Sequence, residues 1–193
     1  MKAIKKIVVI GPESTGKSTL CQKLAEHYNT LWVPEYAREY LEKNGAEYNY
    51  EDLLAIAKGQ LDLEEEISNQ LSEESEGSLN LTTHNSQLTT LLIDTDMYVM
   101  KVWAEFVFNK CHNWILNRIA ERKYDLYLLC DIDLPWIEDP LREYPDQKVR
   151  EKLFHFYKDI LVNQSTQWCH ISGDYEERFE KAVRFIERSF AVN

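Results

Sequence analysis

The sequence IKKIVVIGPESTGKSTL, residues 4–20, decides the fold that we expect for this chain. Its first part contains the apolar run Ile7–Ile10, which is typical of a strand buried on both faces. The run Gly11–Ser18 then matches G-x-x-x-x-G-K-[ST] at every fixed position. A helical apolar stripe begins directly afterwards with Leu20. The order of strand, glycine-containing loop and helix predicts a phosphate-binding loop and makes an accidental match the weaker alternative.

The chemistry of this loop predicts binding of ATP with Mg²⁺. Successive backbone N–H groups in such a loop form a nest for anions, and the helix behind it adds the positive end of its dipole. Glycines in the loop permit the tight backbone and its close approach to a ligand. Lys17 would reach the β- and γ-phosphates, and the Ser18 hydroxyl would bind the metal ion. The predicted nucleotide contacts are Gly11, Glu13, Ser14, Thr15, Gly16, Lys17, Ser18 and Thr19.

Composition restricts the classes of partner. The chain has 193 residues, of which 44% are hydrophobic and 28% charged, as expected of one globular domain over residues 1–193. Its net charge of −11 argues against nucleic acid and anionic lipid as partners, because both require a cationic surface. We interpret the acidic runs Glu64–Glu66 and Glu73–Glu76 as a solvated helix face.

The cysteines and the first residues favour a cytoplasmic protein. The four cysteines form no C-x-x-C pair and have no metal-ligand spacing with histidine, so reduced thiols are expected. The apolar run that ends at Ile10 is too short for a signal peptide, and no run is long enough to span a bilayer. We therefore expect no membrane partner, and the sequence leaves a homo-oligomer open.

Alternating strands and helices predict the architecture. Four further apolar runs indicate strands, at residues 31–33, 88–93, 125–130 and 167–171. Helices are predicted near residues 50–71, 97–108 and 114–122, from 147 onward, and at 177–190. This order predicts a three-layer α/β/α P-loop fold with a five-stranded parallel sheet covered on both faces. Residues 72–87, rich in Ser, Thr, Asn and Glu, are predicted to form a mobile surface loop.

Polar residues after the second strand are candidates for binding an acceptor substrate. In open α/β sheets, ligands collect at the carboxyl ends of the strands, where Glu35 and Arg38 lie. Glu35 has a simpler alternative role as a helix start, because acidic residues favour the first turn. Gln60 interrupts the apolar stripe of a later helix, so its amide would meet either a ligand or an ordinary buried hydrogen-bond partner.

Two aspartates follow the third strand. Asp94 closes an apolar run, as the second metal-binding residue of phosphate-loop proteins does, and is predicted to hold Mg²⁺ together with Ser18. Asp96 would contact the acceptor or cap the next helix. Either Glu35 or Asp96 would accept the proton of the acceptor hydroxyl, and we prefer Glu35. On the next helix, we interpret Trp103 as core rather than as a stacking platform, because its stripe neighbours are apolar.

A polar segment at about residues 134–148 follows the fourth strand and is predicted to form a lid over the site. Arg142 is the residue expected to contact the transferring phosphate, since a planar guanidinium matches phosphoryl oxygens. Arg150 is the second choice, and a solvated salt bridge is the alternative for each. The turn Ile171–Tyr175, after the fifth strand, is expected to touch the adenine through its backbone.

The motifs taken together resemble the kinase domain of the NadR-type proteins. They are Gly11–Thr19, Pro34–Glu39, Gly59–Gln60, Asp94–Asp96 and Asp133–Arg142. The resemblance covers nearly the whole chain, and residues 72–87 match least. It implies a fold like nucleoside and thymidylate kinases, and transfer of the ATP γ-phosphate to the 5′-hydroxyl of nicotinamide riboside to give nicotinamide mononucleotide. The acceptor contacts predicted on these motifs are Glu35, Tyr36, Arg38, Gln60, Asp96 and Trp136.

Three departures from the NadR-type pattern accompany the resemblance. Pro34 stands where some members have a tryptophan that can stack on the nicotinamide ring, and Pro140 stands where a glycine is common. The H-x-G-H signature of a nucleotidyltransferase domain does not occur in the sequence. A kinase for another nucleoside or nucleotide is therefore one alternative function. A nucleotide-binding regulatory ATPase that acts through a protein partner is the other.

Overall fold

The computed structural model describes residues 4–77 and 89–191. Its strands are β1 (Lys5–Ile10), β2 (Trp32–Val33), β3 (Thr90–Asp94), β4 (Leu126–Cys130) and β5 (Gln167–Ile171). Its helices are α1 (Lys17–Tyr28), α2 (Tyr36–Asn44), α3 (Tyr50–Gly77), α4 (Met97–Phe108), α5 (Asn113–Glu121), α6 (Gln147–Val162) and α7 (Tyr175–Phe190). Within the described ranges no helix is long and apolar enough to cross a membrane.

The five strands form one parallel sheet in the order β2-β3-β1-β4-β5. β1 is central, and Val9 pairs with Asp94 of β3 while Ile10 pairs with Leu129 of β4. Because all strands run in the same direction, the loops that follow β1, β3 and β4 lie at one edge of the sheet. The predicted five-stranded parallel sheet is confirmed.

Helices cover both faces of the sheet. Ile7 and Val9 of β1 pack with α1 and α7, whereas Val8 and Ile10 pack with α3, α4 and α6. This division follows from the alternation of side chains along a strand. All four residues are fully buried, as a strand covered on two faces requires. A third apolar cluster joins α2, α3, α4 and α5 beside the sheet.

The longest helix extends further than predicted. α3 continues to Gly77, so residues 72–77, predicted to be loop, are helical. Leu71 packs against the sheet, and the glutamates that follow it favour helix and continue the last turns. The remainder of the predicted loop, residues 78–87, lies outside the described residues, as does Leu88 of the predicted third strand.

Glu64 on α3 is buried, with 1% of its side chain exposed. Its carboxylate accepts hydrogen bonds from Lys6 Nζ at 2.7 Å, Arg122 Nη2 at 2.7 Å and Tyr124 Oη at 2.8 Å. The prediction of a solvated helix face is therefore wrong for Glu64, although the next two residues are exposed. The sequence pattern missed this cluster because the partner side chains lie on other elements.

The last helix begins at Tyr175, two residues before the predicted start. Asp174 accepts hydrogen bonds from the N–H groups of Glu176 and Glu177, and the Glu177 side chain accepts one from the Asp174 N–H. This capping box satisfies donors that a helix end otherwise leaves open, and it fixes the start of the helix.

Candidate active site

The loop between β1 and α1 has the backbone that phosphate binding requires. Gly11 has a φ of +147° and Gly16 a φ of +76°. A Cβ on Gly11 would lie 2.7 Å from the carbonyl oxygen of Cys130, so only glycine fits there. Thr15 Oγ1 donates to Pro12 O at 2.8 Å within the turn. Gly16 is the N-cap of α1, so the loop ends at a helix N-terminus that attracts anions.

Two buried arginines hold the backbone of this loop. Arg178 of α7 donates to Thr15 O at 2.8 Å, and Arg150 of α6 donates to Ser14 O at 3.3 Å. Because two loop carbonyls are engaged on the protein side, the loop is fixed in a conformation that suits an anion nest. Sequence analysis missed Arg178, which lies in a charge-rich amphipathic helix where nothing local distinguishes it from exposed neighbours.

Ser18 and Asp94, the pair predicted to hold magnesium, are in contact. Ser18 Oγ donates to Asp94 Oδ2 at 2.5 Å. Asp94 is fully buried, and burial raises the pKa of its carboxyl group to about 6. Its Oδ1 has no hydrogen-bond partner among the described residues, which fits the position of a cation or a cation-bound water.

Ser18 and Asp94 offer the small number of protein ligands that Mg²⁺ uses. In the described ranges, no group of three His, Cys, Asp or Glu side chains could hold a metal ion. Mg²⁺ usually takes only one or two protein ligands and completes its octahedron with phosphate oxygens and waters. The Ser18–Asp94 pair therefore fits Mg²⁺ that arrives with a nucleotide.

A cavity of about 310 Å³ opens in front of the loop. Residues 11–19 form part of its wall, among them Lys17, whose Nζ donates to Pro12 O at 2.9 Å. The rest of the wall comes from α2, the α2–α3 connection, α4, the lid, α6 and α7. It includes Glu35, Arg38, Leu41, Tyr48, Val99, Val102, Trp103, Phe106, Arg142, Glu143, Tyr144, Leu153, Tyr157 and Tyr175. The phosphate loop and the residues after β2 therefore border one space.

The two candidate bases have different surroundings. Glu35 lines the cavity, and although it is the N-cap residue of α2, its side chain makes no capping hydrogen bond. Asp96 is buried outside the cavity wall, and burial raises the pKa of its carboxyl group to about 7. It accepts hydrogen bonds from the N–H groups of Tyr98 at 2.9 Å and Val99 at 3.3 Å, and from Tyr127 Oη at 2.9 Å. These are the contacts of a helix cap.

Tyr36 and Gln60 support the acceptor side without lining the cavity. Gln60 Oε1 accepts the N–H of Tyr36 at 2.8 Å, and its Nε2 donates to Pro34 O at 3.2 Å and Asp94 O at 3.4 Å. The Tyr36 ring packs against Gly59, where an added Cβ would lie 2.0 Å from the ring. The Gln60 amide thus has the hydrogen-bond partners of an ordinary buried amide, and the acceptor contacts predicted for Tyr36 and Gln60 stay predictions.

Arg38 lines the cavity with a paired guanidinium group. Its Nη2 lies 2.8 Å from Asp139 of the lid, and its Nη1 lies 3.6 Å from Glu42 of the same helix. The side chain is 46% exposed, so water screens these pairs and they contribute little stability. A ligand phosphate or ribose in the cavity would have to compete with Asp139 for this group.

The lid arginines differ in their access to the cavity. Arg142 lines it, donates to Ile137 O at 2.5 Å and lies 3.5 Å from Ser14 Oγ. Arg150 is buried behind the loop, and its Nε has no partner among the described residues. Trp136 lies outside the cavity wall, with the guanidinium carbons of Arg142 and Arg150 at 6.0 and 5.6 Å from its ring. Both guanidinium groups are thus within cation–π distance of Trp136, and its predicted acceptor contact stays a prediction.

The segment predicted to form a lid, residues 134–148, is hydrogen-bonded to the phosphate loop, and its last two residues belong to α6. The N–H of Ile137 donates to Ser14 Oγ at 2.9 Å. Glu13 Oε2 accepts the N–H groups of Glu143 and the next residue at 3.0 and 3.1 Å. Burial raises the pKa of the Glu13 carboxyl group. Glu13 therefore accepts hydrogen bonds from this segment while also lining the cavity, and its predicted nucleotide contact stays a prediction.

Trp103 borders the cavity, so the interpretation of it as core is incomplete. It packs against the cluster of α2, α3, α4 and α5, yet it also forms cavity wall. Its Nε1 donates to Tyr48 Oη at 2.8 Å, and the two rings meet edge to face with centroids 5.0 Å apart. Phe106 and Tyr157 continue this aromatic wall. Tyr48 gave no sequence signal, because it lies in a polar connection without periodicity.

The turn after β5 lies beside the phosphate loop. A Cβ on Gly16 would lie 3.2 Å from the ring of Tyr175, which lines the cavity. The N–H of Gly173 donates to Asp133 Oδ2 at 2.6 Å and joins this turn to the loop after β4. The adenine contact at Ile171–Tyr175 stays a prediction.

A parallel sheet whose central strand runs into a phosphate loop, beside a strand that ends in a buried aspartate, defines a P-loop nucleotide-binding protein of the α/β class. The chain belongs to an AAA domain family, whose model matches residues 6–178. The predicted P-loop fold is thereby confirmed.

Curated relatives confirm the resemblance to the NadR-type proteins. The chain is 24% identical over 192 residues to the "Trifunctional NAD biosynthesis/regulator protein NadR" of Salmonella typhimurium. It is also 24% identical over 191 residues to the protein of the same name in Escherichia coli. Each alignment covers 95% of this chain and 42% of the relative. The chain therefore spans less than half the length of these relatives.

Solved structures confirm the predicted likeness to thymidylate kinases. A NadR protein in complex with NR superimposes with a TM-score of 0.74 at 23% identity, over 98% of this chain and 50% of that one. The thymidylate kinase of Ehrlichia chaffeensis superimposes with a TM-score of 0.60 at 16% identity, over 96% of this chain and 98% of that one. At these identities the likeness shows the fold.

Proposed function

We propose that the chain is a kinase that transfers the γ-phosphoryl group of ATP to the 5′-hydroxyl of nicotinamide riboside. The main support is that one cavity is bordered by the phosphate loop, by the Glu35 carboxylate and by the aromatic side chains around Trp103. The Glu35 side chain makes no capping hydrogen bond. The relatives add support, since NadR is a NAD biosynthesis protein and one NadR structure is a complex with NR.

The phosphate loop would bind and orient the triphosphate. Lys17 would exchange its hydrogen bond to Pro12 O for the β- and γ-phosphate oxygens. Arg142, which lines the cavity near the loop, would contact the charge that spreads over the transferring group. Ser18 and Asp94 would hold Mg²⁺, which supplies charge neutralisation at the phosphate oxygens. These residues act by positioning and electrostatics, the main sources of rate in phosphoryl transfer.

Glu35 would orient the acceptor hydroxyl and accept its proton late in the transfer. Its carboxylate borders the cavity and makes no capping hydrogen bond, so its lone pairs are available to a ligand. Asp96 is the weaker candidate, because three hydrogen bonds from its own surroundings engage its two oxygens.

The aromatic wall fits a ring that carries positive charge. Nicotinamide riboside contains a pyridinium ring, and cations bind favourably over the faces of tryptophan and tyrosine. Trp103 and Tyr157 line the cavity and would supply such faces. Trp103 would take the stacking role that Pro34, which has no aromatic ring, does not provide. The carboxylate of Glu35 would add attraction for the same charge.

A panel of acceptors tests the proposal. The purified chain is incubated with Mg²⁺ and γ-labelled ATP, and each reaction contains nicotinamide riboside, its uncharged dihydro form, uridine, thymidine or thymidylate. We expect labelled mononucleotide from nicotinamide riboside and at least about tenfold lower kcat/KM for the uncharged analogue, because a cation–π contact is lost.

The panel also separates the alternatives. Preference for thymidine, uridine or thymidylate would replace the proposal with a kinase of another nucleoside or nucleotide. ATP hydrolysis that no acceptor stimulates would favour the regulatory ATPase instead.

A further inference from the structure

The lid segment is held on the side of the acceptor as well as on the side of the phosphate loop. Glu143 contributes to both attachments. Its backbone N–H donates to Glu13 Oε2 of the loop at 3.0 Å, and its side-chain Oε2 accepts the hydroxyl hydrogen of Tyr48 at 2.7 Å. Arg142, the lid arginine that lines the cavity, is the preceding residue. The position of Arg142 therefore depends on what holds Glu143.

Tyr48 connects the lid to the aromatic wall of the cavity. Its hydroxyl oxygen accepts the indole N–H of Trp103 at 2.8 Å while its hydrogen goes to Glu143. An indole has one N–H and a phenol has one O–H, so this chain of two hydrogen bonds has a single direction. Burial and the bond to Glu143 raise the pKa of Tyr48, which keeps the phenol protonated as a donor.

We propose that Tyr48 and Glu143 are positioning residues that couple the acceptor wall to the lid. The chain Trp103–Tyr48–Glu143 fixes the orientation of the Trp103 ring and, through the lid backbone, the place of Arg142 above the phosphate loop. The proposal rests on the kinase function proposed above. It adds that binding of the acceptor ring and closure of the lid are one event, transmitted by two side chains of the cavity wall.

Four variants and one control test this coupling. Glu143→Ala removes the acceptor of the Tyr48–Glu143 hydrogen bond, and Tyr48→Phe removes its donor. The double variant removes both. Glu143→Gln keeps a side-chain oxygen that accepts the tyrosine hydroxyl. Glu138→Ala is the matched control, because Glu138 is an exposed lid carboxylate with no hydrogen bond or ion pair to the described residues. Steady-state kinetics are measured separately for ATP and for the acceptor.

We expect Glu143→Ala and Tyr48→Phe each to lower kcat/KM for the acceptor by about tenfold, as loss of a hydrogen bond to a charged group predicts. The KM for ATP should change by less than about twofold, because the loop and its arginines are intact. The double variant should be no worse than Tyr48→Phe, since Tyr48→Phe already loses the hydrogen bond to Glu143 as well as the one from Trp103. Glu143→Gln should recover most of the activity, and Glu138→Ala should equal the wild type. Multiplying losses in the double variant, or wild-type kinetics in Glu143→Ala, would overturn the coupling.

Amide hydrogen exchange tests the attachment without any turnover. In Glu143→Ala and Tyr48→Phe, the amides of residues 143 and 144 should exchange about tenfold faster, because the lid opens more often. Unchanged exchange would refute the proposal. If the wild type transfers phosphate to no acceptor, the proposed function fails, whereas the exchange result still decides whether Tyr48 holds the lid.

Discussion

Asp94 and Asp96 are identical side chains two positions apart, and their partners give them different chemistry. Asp94 accepts one hydrogen bond from Ser18 and keeps a buried oxygen without a partner among the described residues. Asp96 accepts bonds to both oxygens at the start of α4 and lies outside the cavity wall. Glu35 has no such bonds and lines the cavity. At the residue scale, the unused hydrogen-bonding capacity of a carboxylate distinguishes a ligand group from a structural one.

The roles of Glu35 and Asp96 can be separated by measuring activity and stability together. Glu35→Gln should lower kcat by roughly 10²–10⁴-fold, as loss of a general base does, with unchanged unfolding free energy. Asp96→Ala should lower the free energy of unfolding by about 1–3 kcal/mol, because it removes a cap and leaves Tyr127 Oη without its acceptor. Kinetics and urea unfolding of both variants check this, and the reverse pattern would make Asp96 the base.

Lys17 belongs to the phosphate site and contributes one hydrogen bond, to Pro12 O, in this structure. Lys17→Ala should therefore lower kcat by roughly 10²–10⁴-fold while circular dichroism and the melting temperature stay near those of the wild type. Lys23→Ala on the same helix is the control, because Lys23 lies outside the cavity wall, 3.5 Å from Glu176 and 6.0 Å from the centre of the Phe179 ring. Near-wild-type turnover in Lys17→Ala would contradict the mechanism.

At the scale of elements, α3 joins the two ends of the sheet. Gln60 binds the carbonyl groups of Pro34 and Asp94 after β2 and at the end of β3. One turn further along, Glu64 binds Lys6 near the start of β1 and Arg122 at the end of α5. Both residues lie four positions apart on the buried face of the helix. Gln60 thus links α3 to the residues after β2 and to the end of β3, and Glu64 links the same helix to β1 and α5.

Glu64→Gln should destabilise the chain by about 1–3 kcal/mol, because Lys6 and Arg122 lose their charged partner while half-buried. Although burial opposes ionisation, Lys6 and Arg122 hold the pKa of Glu64 below its usual 4.5. The contribution of Glu64 to the free energy of unfolding is therefore complete above pH 4.5 and disappears as the pH falls through the lowered pKa. Unfolding measured from pH 7 down to pH 3 should show the two proteins converging. A constant difference would contradict this account.

At the scale of the whole molecule, the site exists only because the sheet brings distant segments to one edge. β1, β3 and β4 are neighbours in space, and the phosphate loop, the buried Asp94 and the segment predicted to form a lid lie at their carboxyl ends. α6 and α7 then reach back to the loop through Arg150 and Arg178. Binding of a nucleotide to this edge would therefore stabilise several elements at once.

Magnesium–ATP should raise the melting temperature of the entire chain. At a concentration of 100 times the Kd, linkage gives about 2.7 kcal/mol, which corresponds to roughly 5–10 °C for a chain of this size. Differential scanning fluorimetry with a non-hydrolysable ATP analogue measures the shift. Chelation of Mg²⁺ with EDTA should reduce the shift, and Lys17→Ala should nearly abolish it. A full shift in the Lys17 variant would show that the nucleotide binds elsewhere.

Local pattern by itself determined the phosphate loop, the five strands and the parallel sheet. A buried strand corresponds to a run of apolar residues, and the loop motif consists of glycines and a lysine at fixed spacing. Both patterns occupy only a few consecutive residues, so they can be recognised in the sequence. The bounds of α4 and β5 were predicted to the residue for the same reason. The sequence also pointed to Glu35, Ser18 and Arg142, which line the cavity, and to Asp94, which contacts Ser18.

Only the tertiary structure decided which polar side chains are engaged and by what. Tyr48 and Glu143 are 95 residues apart, and Trp103 and Tyr48 are 55 apart, so no window of sequence contains either pair. The same holds for the burial of Glu64, the hydrogen bond from Tyr127 to Asp96 and the hydrogen bond from Arg178 to Thr15 O of the loop. Hydrogen bonds and ion pairs act over about 3 Å in space. Their partners are therefore set by how elements pack, whereas periodicity records only which face of an element is buried.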